Sequence, residues 1–197
     1  LGLTHTQIAE RALEGGADVI QLRDKMMGGR ELMRHAQRIR ALTKDAKKTF
    51  IVNDRLDIAM AAAADGVHLG QEDMALEDAR ALAPVSFIIG VTVHDVAQAK
   101  SAVTGGADYV GLSPIFSTGS KSDAGAPCGL EMLRMVRKAV SIPVVAIGGI
   151  GPSNARDVLE AGADGLAVIS AVVGQDDIAA AARRLRAVIS DFWDDKG

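Results

Sequence analysis

Two hydrophobic rhythms alternate along the chain. Short continuous apolar runs are followed by longer stretches in which apolar side chains return every three or four positions. The first rhythm suits parallel strands buried on both faces, the second helices with one face on a core. Strands are predicted near 18–23, 49–53, 66–69, 87–91, 107–112, 143–147 and 165–169. Helices are predicted near 4–14, 29–46, 55–63, 74–82, 94–104, 129–139, 152–161 and 175–192. One theme marks four of the helix-to-strand joints: small residues, then Asp, then an apolar strand. It occurs at Gly15-Gly16-Ala17-Asp18-Val19-Ile20, Ala63-Ala64-Asp65-Gly66-Val67, Gly105-Gly106-Ala107-Asp108-Tyr109-Val110 and Ala161-Gly162-Ala163-Asp164-Gly165-Leu166. Small residues at a helix end permit the sharp turn into a strand.

This alternation places the chain in the α/β class and predicts a (β/α)8 TIM barrel, a single TIM-barrel domain over 1–197. Seven strands accompany eight helices, and the first helix has no strand before it. The barrel's first strand is therefore expected to lie outside this numbering. A doubly wound open sheet is the alternative.

Composition narrows the picture. Nearly half of the 197 residues are apolar (48%), but only 3% are aromatic, so the core must be built from Ala, Val, Leu, Ile and Met. A formal charge of −3 argues against a general nucleic-acid footprint, and any anion must be met by a local basic pocket. The single cysteine, Cys128, excludes a disulfide framework and a cysteine-based zinc site. It is expected to fill a small space. No stretch has the length of a membrane span, and the N-terminus lacks the order of a signal peptide. The expected setting is the cytoplasm, and the expected partners are small molecules rather than nucleic acid or membrane. A homo-oligomer is left open.

In a barrel of this kind, catalytic groups come from the C-terminal ends of the strands. The first predicted strand ends Gln21-Leu22-Arg23-Asp24-Lys25. Period-two alternation puts Gln21, Arg23 and Lys25 on one face and Ile20 and Leu22 on the other. The apolar pair must meet helices, so the polar trio faces the barrel mouth, where two cations call for an anion. The next strands end Val52-Asn53-Asp54-Arg55 and His68-Leu69-Gly70-Gln71-Glu72-Asp73. Asp54 and Asp73, held close but unpaired, would suit Mg²⁺, although Asp54 could instead cap the helix that follows.

Thr92 could donate to a phosphate or a pyrimidine. His94 reads as structural, and His68 as a satisfied core histidine. The loop 113–129 is long and rich in hydroxyls, and Lys121 within it could close over a phosphate. The last strands lead to Gly148-Gly149-Ile150 and Ile169-Ser170. There, backbone amides of Gly149, Ile169 and Ser170, aided by a helix N-terminus, offer a second anion seat.

These stretches, with Pro114-Ile115-Phe116 through Lys121, resemble the thiamine-phosphate synthase family over almost the whole chain and in order. The resemblance implies an alkyl/aryl transferase that uses Mg²⁺. Such an enzyme condenses 4-amino-2-methyl-5-pyrimidinylmethyl diphosphate with a thiazole phosphate, releasing pyrophosphate through a pyrimidine-methyl cation. It also implies roles. Arg23, Lys25, Asn53 and Lys121 would hold the diphosphate, and Asp54 and Asp73 the metal. Gln21, Asn53 and Thr92 would orient the pyrimidine. Thr118, Ser120 and the amides of Gly149, Ile169 and Ser170 would seat the thiazole phosphate. Thr92 and Ser120 stand where the family more often has Ser and Thr, and Gly119 where it has larger residues. The family's first strand and an aromatic that packs on the pyrimidine are absent from the numbering.

Two other readings compete. A thiazole tautomerase-like relative would need the thiazole phosphate site but not the cations and carboxylates of the first three strand ends. A non-catalytic barrel would bind thiazole phosphate without turnover.

Overall fold

In the computed structural model, residues 2–119 and 125–196 are described. Helix α1 (His5–Glu14) is followed by β1 (Val19–Leu22), α2 (Gly29–Asp45), β2 (Thr49–Asn53), α3 (Leu56–Ala61), β3 (Gly66–Leu69), α4 (Leu76–Leu82) and β4 (Ile88–Val93). Then come α5 (Val96–Thr104), β5 (Tyr109–Leu112), α6 (Gly129–Ala139), β6 (Val144–Ile147), α7 (Ala155–Glu160), β7 (Gly165–Ala167) and α8 (Ile178–Asp194). The expected elements are therefore present, with ends shifted by a few residues.

All pairings are parallel, and the strand order is β1-β2-β3-β4-β5-β6-β7. A doubly wound sheet reverses direction at a switch point; this one never does, so that alternative is excluded. The architecture is TIM-barrel-like, but it is not a complete (β/α)8 barrel among the described residues. The sheet stops at β7 on one side and β1 on the other. Helices carry the ring across this opening, because α8 packs against both α7 and α1. The seam is tight: a Cβ on Gly15 would lie 2.5 Å from the Ala179 carbonyl oxygen.

The core lies between sheet and helices and is aliphatic, as the composition requires. Val52, Val67, Ile89, Val110 and Val144 are fully buried along the strands, and Ile39, Leu133, Val158 and Ile178 come from the helices. On β1, Ile20 and Leu22 are buried while Val19 and Gln21 are exposed. This is the predicted alternation, seen on an edge strand.

The repeated Asp has a structural role at the opposite end of the strands from the chemistry. Asp65, which enters β3, accepts the Phe50 N–H of β2 (2.8 Å) and the Arg40 guanidinium (2.8 Å) on one oxygen. Asp108 does the same for Ile89 N–H (2.7 Å) and Arg80 (2.6 Å), and Asp164 for Val144 N–H (2.8 Å) and Arg137 (2.5 Å). Each thereby satisfies an N–H near the start of a neighbouring strand. Asp18, before β1, is held instead by Lys48 and Arg186.

Candidate active site

The C-terminal strand ends share one rim because the strands are parallel and in register. Leu22 pairs with Val52, Asn53 with His68, Leu69 with Val91, Thr92 with Gly111, Leu112 with Ala146 and Ile147 with Ala167.

At the first three ends the expected cations and carboxylates come together. Lys25 Nζ lies 3.8 Å from Asp54 Oδ2. Asp54 also feels Arg23 and faces Asp73. Asn53 Nδ2 donates to Asp54 Oδ1 at 2.5 Å. The Asp54 carboxyl is raised from 3.8 to about 6, first by desolvation, then by hydrogen bonding to and repulsion from Asp73. The positive charges of Lys25 and Arg23 pull the other way and are outweighed.

Asp54 does not cap α3. The cap position belongs to Arg55, with no side-chain cap bond, and Arg55 turns its guanidinium to Asp57. Asp54 is instead the centre of a tight turn, with φ +63° and Arg55 N–H bonded to Asn53 C=O at 2.8 Å. That conformation is strained for a residue with a Cβ. Asp54 N–H is tied to His68 C=O at 2.8 Å, so neighbouring β3 helps to hold the turn. Asp73 is oriented through Oδ2, which accepts the Gly70 N–H at 2.7 Å.

Both carboxylates are thus fixed while their charges stay largely uncompensated. Two oxygen ligands whose repulsion a divalent cation would relieve fit Mg²⁺, which takes its other ligands from water and substrate phosphate. Among the described residues, no group of three or more His, Cys, Asp or Glu has a metal-binding arrangement.

Asp24, between the two cations, points away from them. It accepts the N–H groups of Met26 (2.8 Å) and Met27 (2.9 Å) and pairs with His5 of α1 (2.8 Å), which holds its carboxyl below the usual range. The strand-end turn is thus tied to α1 while Arg23 and Lys25 stay at the mouth. Nothing in the local pattern signals this use of His5.

At β4, Thr92 Oγ1 lies 2.8 Å from His68 Nε2, and its carbonyl accepts from Gln71 Nε2 at 2.6 Å. His68 is 1% exposed, a satisfied core histidine as expected, and its Nδ1 meets Tyr109 Oη at 2.9 Å. Tyr109 was missed from the sequence. The signal for it was present: it is the one tyrosine of the chain, on the inward face of β5, beside glycines of that face. His94 is peripheral, exposed and bonded to the Ser113 carbonyl. Cys128 is half-buried, and burial pushes its thiol up, so it is no activated nucleophile.

The loop after β5 runs along the end of β6. Ile115 N–H bonds to Ile147 C=O (2.8 Å) and Phe116 N–H to Gly148 C=O (3.1 Å). Gly148 and Gly149 have φ of +102° and +65°, and a Cβ on Gly149 would come within 2.7 Å of Ser117 O. Only glycine fits there. Thr118 is half-buried in this loop. Ser120 and Lys121 lie outside the described residues.

The helix expected beyond the last strand does not open at the second anion seat. Helix α8 begins at Ile178, well past Ser170. The donors belong instead to a single helical turn, in which Val173 N–H reaches Ile169 C=O at 2.7 Å. Amides that open such a turn have no carbonyl of their own to bind. Ile169 and Ser170 are exposed at that opening, and Gly151 of the β6 loop abuts Ala171. The β6 and β7 ends are therefore neighbours, as the seat requires.

Comparison with known proteins now bears on this rim. Residues 2–172 match the family model described as thiamine monophosphate synthase. The chain is 59% identical over 191 residues to the thiamine-phosphate synthase of Methanocella arvoryzae, covering 97% of this chain and 90% of that protein. It is 55% identical over 184 residues to that of Moorella thermoacetica, covering 93% and 88%. Among solved structures, thiamine phosphate pyrophosphorylase from Pyrococcus furiosus superposes with a TM-score of 0.91 at 44% identity, covering 96% of this chain and 91% of that one. At 22% identity and a TM-score of 0.68, 3-hexulose-6-phosphate synthase shares the fold alone. The chain belongs to the thiamine monophosphate synthase family.

Proposed function

We propose that this protein condenses an aminopyrimidine-methyl diphosphate with a thiazole phosphate to give thiamine phosphate and pyrophosphate. The observation that carries the reading is the convergence of Arg23, Lys25, Asp54 and Asp73 at one end of the sheet, in a chain of this family.

Arg23, Lys25 and Asn53 hold the diphosphate, with Lys121 joining from the loop after β5. Asp54 and Asp73 would hold Mg²⁺, which would supply positive charge to the departing diphosphate. Gln21, Asn53 and Thr92 orient the pyrimidine. Thr118, Ser120 and the amides of Gly149, Ile169 and Ser170 seat the thiazole phosphate. The leaving group departs with the bonding electrons, and the thiazole nitrogen supplies the pair that captures the pyrimidine-methyl cation. No side chain must take a proton from carbon. The protein's task is to place two rings in line and to hold fixed positive charge where negative charge develops.

The test supplies both substrates with Mg²⁺ and measures pyrophosphate. Release that requires both substrates and the metal supports the synthase. Thiazole phosphate binding without turnover would indicate a scaffold, and thiazole isomerisation without pyrophosphate a tautomerase. The expected partners are small molecules, and no helix among the described residues is long and apolar enough to cross a membrane.

A further inference from the structure

A polar chain crosses the interior of the sheet beneath the proposed pyrimidine site. It runs from Tyr109 Oη to His68 Nδ1 (2.9 Å), through the ring, and from His68 Nε2 to Thr92 Oγ1 (2.8 Å). Room has been made for it. A Cβ on Gly90 would sit 2.0 Å from the Tyr109 ring, and one on Gly111 would sit 2.9 Å from the His68 ring. The register puts these residues on one face, since His68 pairs with Gly90, Gly90 with Tyr109, and Thr92 with Gly111. Two glycines and three polar side chains are poor material for an aliphatic core, where each buried polar atom left unpaired costs about 1–3 kcal/mol. A valine or leucine set would fill the same space without that risk.

The chain has a direction. Among the described residues, the phenol's one hydrogen-bond partner is His68 Nδ1. Burial pushes the phenol up, so it keeps its proton. A largely buried O–H needs an acceptor, so Tyr109 donates and Nδ1 accepts. In a neutral imidazole the proton then resides on Nε2, which donates to Thr92 Oγ1. With an oxygen lone pair so engaged, Thr92 is left to turn its own O–H outward.

Resting on the functional reading above, we infer that Tyr109 and His68 are positioning residues that fix Thr92 as a hydrogen-bond donor to its ligand. The atom it selects is an acceptor: an unprotonated ring nitrogen or a phosphate oxygen, not an amino group. Thr92 is the residue that touches substrate, and the other two act through it.

Two measurements on the intact protein test the inference. The first needs no substrate: ¹⁵N NMR of the imidazoles reads the His68 tautomer, assigned by its loss in His68→Gln. The expected state has the proton on Nε2, and Tyr109→Phe should weaken that preference. A proton on Nδ1 in the parent overturns the inference whatever the protein catalyses, so it fails separately from the functional reading. The second is kinetic. Tyr109→Phe should lower kcat/KM for the pyrimidine diphosphate about tenfold, the scale of one neutral hydrogen bond, with KM for thiazole phosphate unchanged. Adding Tyr109→Phe to Thr92→Val should cost nothing more than Thr92→Val alone. Additive losses, or full activity in Tyr109→Phe, would mean that the tyrosine is only packing.

Discussion

At about pH 8, Asp54→Asn should make the metal-free protein more stable while nearly abolishing the activity it shows with Mg²⁺. Asn is the informative replacement. It tolerates the left-handed φ of +63° that Asp54 adopts better than Ala does, and it keeps an oxygen for the Asn53 Nδ2 donor. What it removes is a partly buried charge facing Asp73. The carboxyl is raised from 3.8 to about 6, so ionising it in the folded protein costs at most about 3 kcal/mol more than in the unfolded chain. Some of that cost is shared with Asp73, and a gain of about 1–3 kcal/mol is expected. For a chain of this size, that is a rise in Tm of roughly 3–9 °C. The pH dependence is a sharper check. Between 3.8 and about 6 the native state holds this proton more tightly than the unfolded state. The parent's stabilisation from it is full below that window and is lost as pH rises through it. The Asp54→Asn variant has no such slope, so the two melting curves should converge towards about pH 4 and separate above about 6. Thermal melts in EDTA across this range decide the matter. A variant less stable than its parent at about pH 8, or a gap that ignores pH, would refute the electrostatic account of the site.

Other consequences follow from the same geometry. Magnesium should raise the parent's Tm in proportion to RT ln(1 + [Mg²⁺]/Kd) and leave Asp54→Asn almost unmoved, as read by melts at several metal concentrations. Lys121→Ala should lower turnover about 10²–10³-fold, the scale of one contact to developing charge, with thiazole phosphate affinity much less affected; equal activity would remove Lys121 from the mechanism. Gly149→Ala places a Cβ 2.7 Å from Ser117 O at a positive φ, so calorimetry should find thiazole phosphate binding weakened at least tenfold. Asp164→Ala, at the other end of the strands, leaves the Val144 N–H without its acceptor and removes one of the partners of Arg137, which keeps the Val140 and Ile142 carbonyls; urea unfolding should show a loss of about 1–3 kcal/mol.

The order of elements was legible because each apolar run is too short to be anything but a buried strand, and each is followed by a helical repeat. Ends were less so: α7 starts at Ala155 rather than near 152, after Asn154 folds its side chain back onto Gly149 and Gly151. Arg23, Lys25, Asp54 and Asp73 could be found because a parallel sheet carries the residue after each strand to the same rim. The Tyr109–His68–Thr92 chain could not be found by looking at strand ends, because Tyr109 lies at the start of β5 and reaches the site through the interior. The helical turn at 169–173 could not be read because a single turn has no periodicity.

Aspartate shows why position, rather than residue type, separates scaffold from chemistry in this chain. At the starts of β3, β5 and β7, each carboxylate receives one backbone N–H and one guanidinium on the same oxygen. Its charge is matched and its geometry closed, so nothing remains for a ligand. At the far ends of β2 and β3, Asp54 and Asp73 are fixed just as firmly, by a strained turn and by the Gly70 amide, yet they face each other. Lys25 stands 3.8 Å away, too far for a close hydrogen bond and near enough to share a ligand. The fold therefore sets these three matched carboxylates at one end of the strands and stores the repulsion between Asp54 and Asp73 at the other. A bound cation would release that repulsion and add positive charge beside Lys25 and Arg23 that attracts a polyanion, which gives binding of the metal and of the diphosphate a physical reason to be cooperative.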